Sequence, residues 1–273
     1  VVPDVVGPVS TSSWNHGTRE EFLRYYADRH ARPETLRTFL AARDLVLRFV
    51  DGSRPLDVAD VGCGAGAQSL IWAGLGHRVH GLDVSADLVA VARRRAREAG
   101  HEVDFRVGSA TQLPWPDDSI DVCLALELLE HVADWTTCLD EFARVLRCGG
   151  VLLLSTTNVL CPVQHEFSLP LYSWYPRPLK RRCERLAVTT RPELVRHAVY
   201  PAVNWFTFYR LQAALRSRGL RAHDRFDVMD LTRKGRLARG VVAAVRRFSV
   251  LRWLGHVATP YTLILAIKEG GRP

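Results

Sequence analysis

The sequence predicts a doubly wound α/β fold. Three observations carry that prediction: short apolar runs alternate with amphipathic stretches of helical length, a glycine-rich turn closes the first run, and the alternation resumes after a long irregular interruption. Helical patterns over 19–30 and 33–50 come first, with Pro33 suited to a first helical turn and Asp51-Gly52-Ser53 as a stop. Strand patterns follow at 56–61, 78–83, 103–107, 120–125, 151–156, 221–228 and 261–268, separated early on by helical patterns at 66–75, 86–99 and 135–146. Strands spaced by helices of this length pair in parallel, because a crossover must return the chain to the same edge of the sheet. After Thr157 the rhythm fails for more than forty residues rich in proline and aromatics, then resumes with a helix at 206–218. An irregular stretch of that length is expected to be functional, so it reads as a lid. The chain therefore divides into an N-terminal helical cap (1–50), a core (51–156), a lid insertion (157–203), and a C-terminal part of the core (204–273) with a basic amphipathic insertion at 230–258.

Length and composition bound the class. The 273 residues suffice for one sizeable core, and at 47% apolar residues without a long apolar run the chain is too polar for an integral membrane protein. Residues 1–13 lack the basic start and apolar stretch of a secretory signal. Six cysteines show no CxxC pair and no zinc-ligand spacing, which points to reduced thiols and a cytoplasmic setting. The net charge of +8 is regional: residues 177–197 hold seven Lys/Arg against two Glu, and residues 233–252 hold seven with no acid. An anionic partner should meet those windows first.

The informative segment is Asp60-Val61-Gly62-Cys63-Gly64-Ala65-Gly66, where the first strand turns into the first helix. Glycines there allow a sharp turn and a close approach to a ligand over the carboxyl end of the sheet. The spacing is GxGxG rather than the dinucleotide GxGxxG, and a carboxylate, Asp60, sits in the turn. That charge disfavours a pyrophosphate and favours an ammonium group. Asp83, at the end of the second strand, is placed to accept from both hydroxyls of a ribose. Together they favour a nucleoside carrying a positively charged amino acid; the bland alternative is that the glycines serve strand–helix packing and the aspartates are turn formers.

In order and spacing, from about residue 56 to 156, the chain resembles the class I S-adenosylmethionine-dependent methyltransferases. DVGCGAG (60–66) looks like motif I, GLDVS (81–85) like motif II, and SATQLPWPDDSIDVCLALELLEHVAD (109–134) like the adenine loop and fourth strand. The nearest resemblance is to the ubiquinone-biosynthesis O-methyltransferase-like group. It implies a Rossmann-like seven-stranded sheet, mostly parallel with an antiparallel last strand, and S-adenosyl-L-methionine as cofactor. Gly62, Gly64 and Gly66 would then line the methionine side, Asp83 hold the ribose, Ala110 present its backbone near the adenine and Leu126 pack beside the cofactor, with Asp60, Cys63, Val84, Ser109, Thr111 and Glu127 also among the cofactor-binding residues. Family members often carry an acid at the position of Ser109, so a weaker adenine contact is expected here.

Methyl transfer is an in-line displacement, so the protein must align a nucleophile and exclude water. A hydroxyl acceptor also needs a base, and His131, just past the fourth strand, is the candidate; a packing or capping histidine fits the same position. Glu127, Glu130 and His131 would share a face if their segment is helical, and two carboxylates with an imidazole can hold a divalent ion. The resemblance implies Mg²⁺ for that set, although three ligands on one turn is a strained demand. Within the lid, His165, Glu166, Tyr172, Trp174, His197 and Tyr200 are candidates for acceptor contacts, and Tyr25, Tyr26, Arg29 and His30 for closing over the cofactor.

On a helical wheel Leu237, Val241, Ala244, Val245, Phe248 and Leu251 form one stripe, with Arg236, Arg239, Arg246 and Arg247 opposite. Such a helix suits the inner face of an anionic membrane, and equally a helix packed on the domain with a solvated basic face. The expected reaction is O-methylation of a hydrophobic or amphiphilic small molecule: a quinone precursor, a lipid-linked sugar or a secondary metabolite. Nitrogen or carbon acceptors, RNA, and a non-catalytic membrane adaptor are the rivals. Nucleic acid is disfavoured by the absence of an appended RNA-binding module and of an aromatic-basic stacking motif.

Overall fold

In a computed structural model, residues 32–195, 202–232 and 234–270 are described. The helix expected over 19–30, with Tyr25, Tyr26, Arg29 and His30, lies outside them, as do His197 and Tyr200. The expected sheet is present: seven strands in the order β3-β2-β1-β4-β5-β7-β6. They are β1 (Asp57–Val61), β2 (Arg78–Asp83), β3 (Asp104–Val107), β4 (Ile120–Leu126), β5 (Leu146–Thr157), β6 (Leu220–Asp224) and β7 (Tyr261–Lys268). The β1–β2, β1–β4, β2–β3 and β4–β5 pairs are parallel, and β7 runs antiparallel to both its neighbours. β1 and β4 are central and almost wholly buried, so apart from Asp57, Asp60 and Asp121 near their ends they are apolar or small throughout.

The helices are α1 (Pro33–Val46), α2 (Ala67–Ala73), α3 (Ala86–Glu98), α4 (Trp135–Val145), α5 (Arg177–Thr189), α6 (Phe208–Arg216), α7 (Arg236–Arg247) and α8 (Ser249–Val257). One face of the sheet buries Ile120, Leu139, Phe142, Leu152, Phe208 and Leu211. The other buries Val58, Trp72, Val122, Leu153 and Leu265. At the amino-terminal edge Asp57 takes Arg78 and Arg147, and Asp121 takes Arg54 and Arg147. The guanidinium of Arg78, and less that of Arg147, draws the Asp57 pKa down to about 2. This edge is closed by ion pairs, which leaves the carboxyl edge for a ligand.

Three expectations are corrected. The stretch read as an irregular lid holds α5 and its own small core of Phe167, Tyr172, Cys183 and Ala187. Pro178, which looked like a loop marker, sits in the first turn of α5, where a missing N–H is harmless. The strand expected over 221–228 stops at Asp224, whose carboxylate accepts from the N–H groups of Phe226 and Asp227 in a capping box and starts a helical turn, Arg225–Val228. The single basic helix is two, α7 and α8, broken where Phe248 takes an extended conformation.

Asp224 also anchors that helix pair. It is fully buried, accepts from Arg252 Nε at 2.7 Å, and lies 3.0 Å from His256 Nε2. Burial opposes its charge, but hydrogen bonds from His256 and Arg252 keep its pKa below the ordinary value. Removing one member of such a buried set strands the others, so Asp224→Ala is expected to lower stability by about 3 kcal/mol, read as a reduced urea midpoint. A loss under about 1 kcal/mol would show that Arg252 and His256 find other partners.

Candidate active site

The site is built at the carboxyl edge by strand register. Asp60 pairs with Gly81 on β2 and with Leu124 on β4, so the turn after β1, Asp83, and the segment after Leu126 lie side by side. The glycine turn is held from β2: Gly62 and Cys63 N–H donate to Leu82 O at 2.8 and 3.0 Å, and Gly64 N–H to Asp83 Oδ2 at 2.9 Å. Gly66 N–H closes the turn on Cys63 O at 2.9 Å. Gly62, Gly64 and Gly66 all have positive φ, which an L side chain rarely adopts.

These bonds change the electrostatic argument. A phosphate-binding turn offers its N–H groups to the ligand, whereas here four of them already donate within the protein. Asp60 is buried, and its Oδ2 accepts from Ser69 Oγ at 2.6 Å; a Ser69 backbone bond also favours its charged form. Ser69 lies in the first turn of α2, so the protein places its own carboxylate at the helix N-terminus where a phosphate would sit. Burial, with a smaller contribution from Asp83, pushes the Asp60 pKa up to about 6.

Asp83 joins two loops: Oδ2 takes Gly64 N–H, and Oδ1 takes Ser85 N–H at 2.8 Å. Burial raises its pKa, opposed by those two bonds. Each carboxylate oxygen retains a lone pair, and the side chain is partly exposed, which fits two ribose hydroxyls. Gly62 is exposed, and a Cβ there would come within 3.1 Å of Leu128 Cδ1, so this is the glycine whose bareness keeps the cradle open.

The other named residues divide. Val84, Leu126 and Glu127 lie along the same rim, Val84 exposed and Glu127 in a left-handed conformation at φ 52°. Gly66 is there for packing, since a Cβ would meet Ala92 and Phe105 at 2.9 Å. Cys63 turns its side chain into the small core with Val89, Ala92 and Phe105, leaving only its backbone on the turn. Ser109 folds onto its own loop, 2.7 Å from Thr111 Oγ1 and accepting from Thr111 N–H, while Ala110 is buried. Sequence reasoning missed the clamp on this loop: Arg144 donates to the carbonyls of Leu113 and Trp115 and pairs with Glu141 and Asp117. No local pattern marks that clamp, because apart from Glu141 the partners of Arg144 lie about thirty residues away.

The proposed magnesium set does not assemble. Glu127 lies outside the short 3₁₀ turn Leu129–His131, so the three residues do not share a helical face. Glu130 is buried and accepts from Thr156 Oγ1 at 2.8 Å. Burial, reinforced by Glu127 and Glu166, pushes its pKa well up. Among the described residues no group of three His, Cys, Asp or Glu is placed to hold a metal. His131 is half-buried on that turn, beyond β4. Of the lid candidates, Tyr172 is fully buried and stacks on Phe167 at 4.0 Å, so it is core rather than contact surface. Trp174 is exposed with its indole N–H on Leu160 O, and His165 is exposed.

The pKa of Asp60 gives a testable sign. The native state keeps the proton up to about pH 6, while the unfolded chain releases it near 3.8. The associated stabilisation is complete below pH 3.8 and lost as pH rises through 6, an effect of up to about 3 kcal/mol. Urea unfolding of Asp60→Asn is therefore expected to show a flatter profile between pH 4 and 6 than the parent. An unchanged slope would mean that the carboxyl is ionised throughout.

Residues 59–154 match the methyltransferase domain family. Over 102 residues the chain is 43% identical to the ubiquinone biosynthesis O-methyltransferase of Xanthomonas euvesicatoria pv. vesicatoria, covering 37% of this chain and 43% of that protein. Over 156 residues it is 33% identical to the enzyme of that name from Maricaulis maris, covering 55% and 60%. The chain thus spans less than two thirds of the length of these curated relatives. In fold it is similar to the PH0226 protein of Pyrococcus horikoshii OT3, with a TM-score of 0.58 at 16% identity, covering 93% of this chain and all of that one. Residues 59–154, which carry the glycine turn, Asp83 and the segment after β4, are thus the part that matches a methyltransferase domain, and the seven-stranded sheet around them has the Rossmann-like order.

Proposed function

We propose that this chain transfers a methyl group from S-adenosylmethionine to a hydroxyl of a hydrophobic or amphiphilic small molecule. The observation that carries the cofactor is the glycine turn, whose N–H groups serve β2 and whose helix N-terminus is occupied by Asp60. A ligand there meets carboxylates, which suits the ammonium and sulfonium charges of this nucleoside and repels a pyrophosphate. When bound, that cofactor supplies an electrophilic methyl on a positively charged sulfur. The protein's tasks are to hold the ribose at Asp83, seat the adenine against the loop pinned by Arg144, and present the acceptor over Leu126 and Leu128. His131 is proposed to take the hydroxyl proton, since its turn follows β4 at the acceptor end.

Support for the oxygen acceptor comes from relatives named ubiquinone biosynthesis O-methyltransferase. A quinone precursor is thus the first acceptor to test, ahead of lipid-linked sugars and secondary metabolites.

Calorimetry with S-adenosylmethionine and its demethylated product is expected to show binding that Asp83→Ala weakens at least tenfold, because two charge-assisted hydrogen bonds are lost. No heat with either nucleoside, together with uptake of a nicotinamide coenzyme, would overturn the reading. With methyl-tritiated cofactor and a lipid extract, label is expected in an organic-soluble, base-stable ether. His131→Ala should then lower kcat by about a hundredfold or more at unchanged cofactor affinity; a change confined to cofactor binding would remove His131 from the chemistry.

A further inference from the structure

The α7–α8 pair lies between two strands that would ordinarily be joined by a short hairpin. Its inner side is well anchored. Val242 and His256 are buried, and Arg246 donates to the carbonyls of Phe226, Asp227 and Met229. A Cβ on Gly255 would come within 2.5 Å of the Phe226 ring, so the helix lies directly on that turn. Asn158, just past β5, donates to the carbonyls of His256 and Thr259 at 2.8 Å each.

The outer side is unlike that of a solvated helix. Leu237 is 83% exposed, Val250 68%, Phe248 57%, Val241 56%, Leu254 49% and Trp253 46%. The apolar stripe read from sequence is therefore largely turned outward rather than packed on the domain. Lys234, Arg236, Arg239 and Arg247 are exposed around it and form no ion pair among the described residues, and residues 234–252 contain no acid. A neutral or acidic protein face would be met by part of this surface only. A second copy of the same face would bring arginine against arginine with no carboxylate to separate them, which is unfavourable. Exposed apolar side chains flanked by cations without ion-pair partners among the described residues match an anionic lipid surface, whose phosphates take the cations while its acyl boundary takes the apolar groups. Neither helix is long enough to cross a bilayer.

The register says where this face sits. Asp60 lies in one row with Leu124, Leu153, Leu265 and His223. Asp224, from which the insertion departs, is thus one residue beyond that row, at the carboxyl edge that carries the glycine turn and Asp83.

We propose that α7 and α8 dock this protein on an anionic bilayer surface. Leu237, Val241, Phe248, Val250, Trp253 and Leu254 enter the acyl boundary, and Lys234, Arg236, Arg239 and Arg247 bind lipid phosphates. The carboxyl edge of the sheet is then held next to the membrane. This goes beyond the proposed methyl transfer, and its test does not depend on it.

The full chain is floated with phosphatidylcholine vesicles, with and without phosphatidylglycerol. It is expected to rise with the anionic vesicles only, and to release as salt is raised from 0.1 M to 1 M, where the screening length falls from about 10 to about 3 Å. Each arginine near the surface contributes about a fivefold preference, so Arg236→Gln with Arg239→Gln should weaken binding about 25-fold. Leu237→Asp with Val241→Asp should abolish it. All four positions are exposed, and an unchanged far-ultraviolet circular dichroism spectrum and cofactor affinity would show that the variants remain folded. The proposal is overturned if the parent stays at the bottom of the gradient, or if the variants float as it does. It is also overturned if the parent is a dimer that Leu237→Asp with Val241→Asp dissociates while vesicle binding is undetectable, which would assign the face to a second copy.

Discussion

The arrangement of the site depends on one placement of charge: a carboxylate supplied by the chain stands at the N-terminus of α2, bonded to Ser69. In nucleotide-binding relatives of this architecture that position is the anion site and the ligand completes it. Here it is complete before any ligand arrives. The same saturation holds for the turn itself, whose N–H groups run to Leu82 and Asp83. What remains for a ligand is bare backbone at Gly62, the spare lone pairs of Asp83, and a negative local field. Burial is the main reason both acids resist ionisation; Asp60 is shifted to about 6, with Asp83 adding a smaller repulsion. A cation bound between them would relieve both, so the unfavourable charge of the empty turn becomes selectivity for a positive ligand.

The two edges of the sheet divide their tasks. At the amino edge the charges pair with each other, Arg54, Arg78 and Arg147 against Asp57 and Asp121. The carboxyl edge carries the strained and buried groups: Glu127 with positive φ, Glu130 buried with its pKa raised, and Asp83 shared between two loops. Such groups persist only where surrounding contacts hold them, and here Thr156 and the chain at Val203 and Asn204 hold the segment after β4.

Much of this was legible from the chain alone, wherever the determining interaction is local. The strands of the core announced themselves as short apolar runs, and the glycine turn by spacing. Pro33 falls where the first helix begins. Illegible features needed partners far away in sequence. Gly66 reads as a ligand glycine until Ala92 and Phe105 are brought against it. Tyr172 reads as a binding aromatic until Phe167 stacks on it. The three residues taken for a metal set share a face only if the turn is a full helix, and the left-handed conformation of Glu127 prevents that. A wheel drawn through 237–251 assumes continuity, and the extended Phe248 breaks it.

The route between β6 and β7 has a further consequence. Antiparallel neighbours are usually joined within a few residues, but these two are separated by 36. Closing a loop of that size instead of a four-residue turn costs about 2 kcal/mol in chain entropy, and places the edge strand's pairing among the non-local contacts. The buried junction of Asp224, Arg252 and His256 offsets that loss from inside the loop itself. The outermost strand is therefore tethered to its neighbour through the excursion's own fold, so the stability of that sheet edge is tied to the buried junction rather than to a turn.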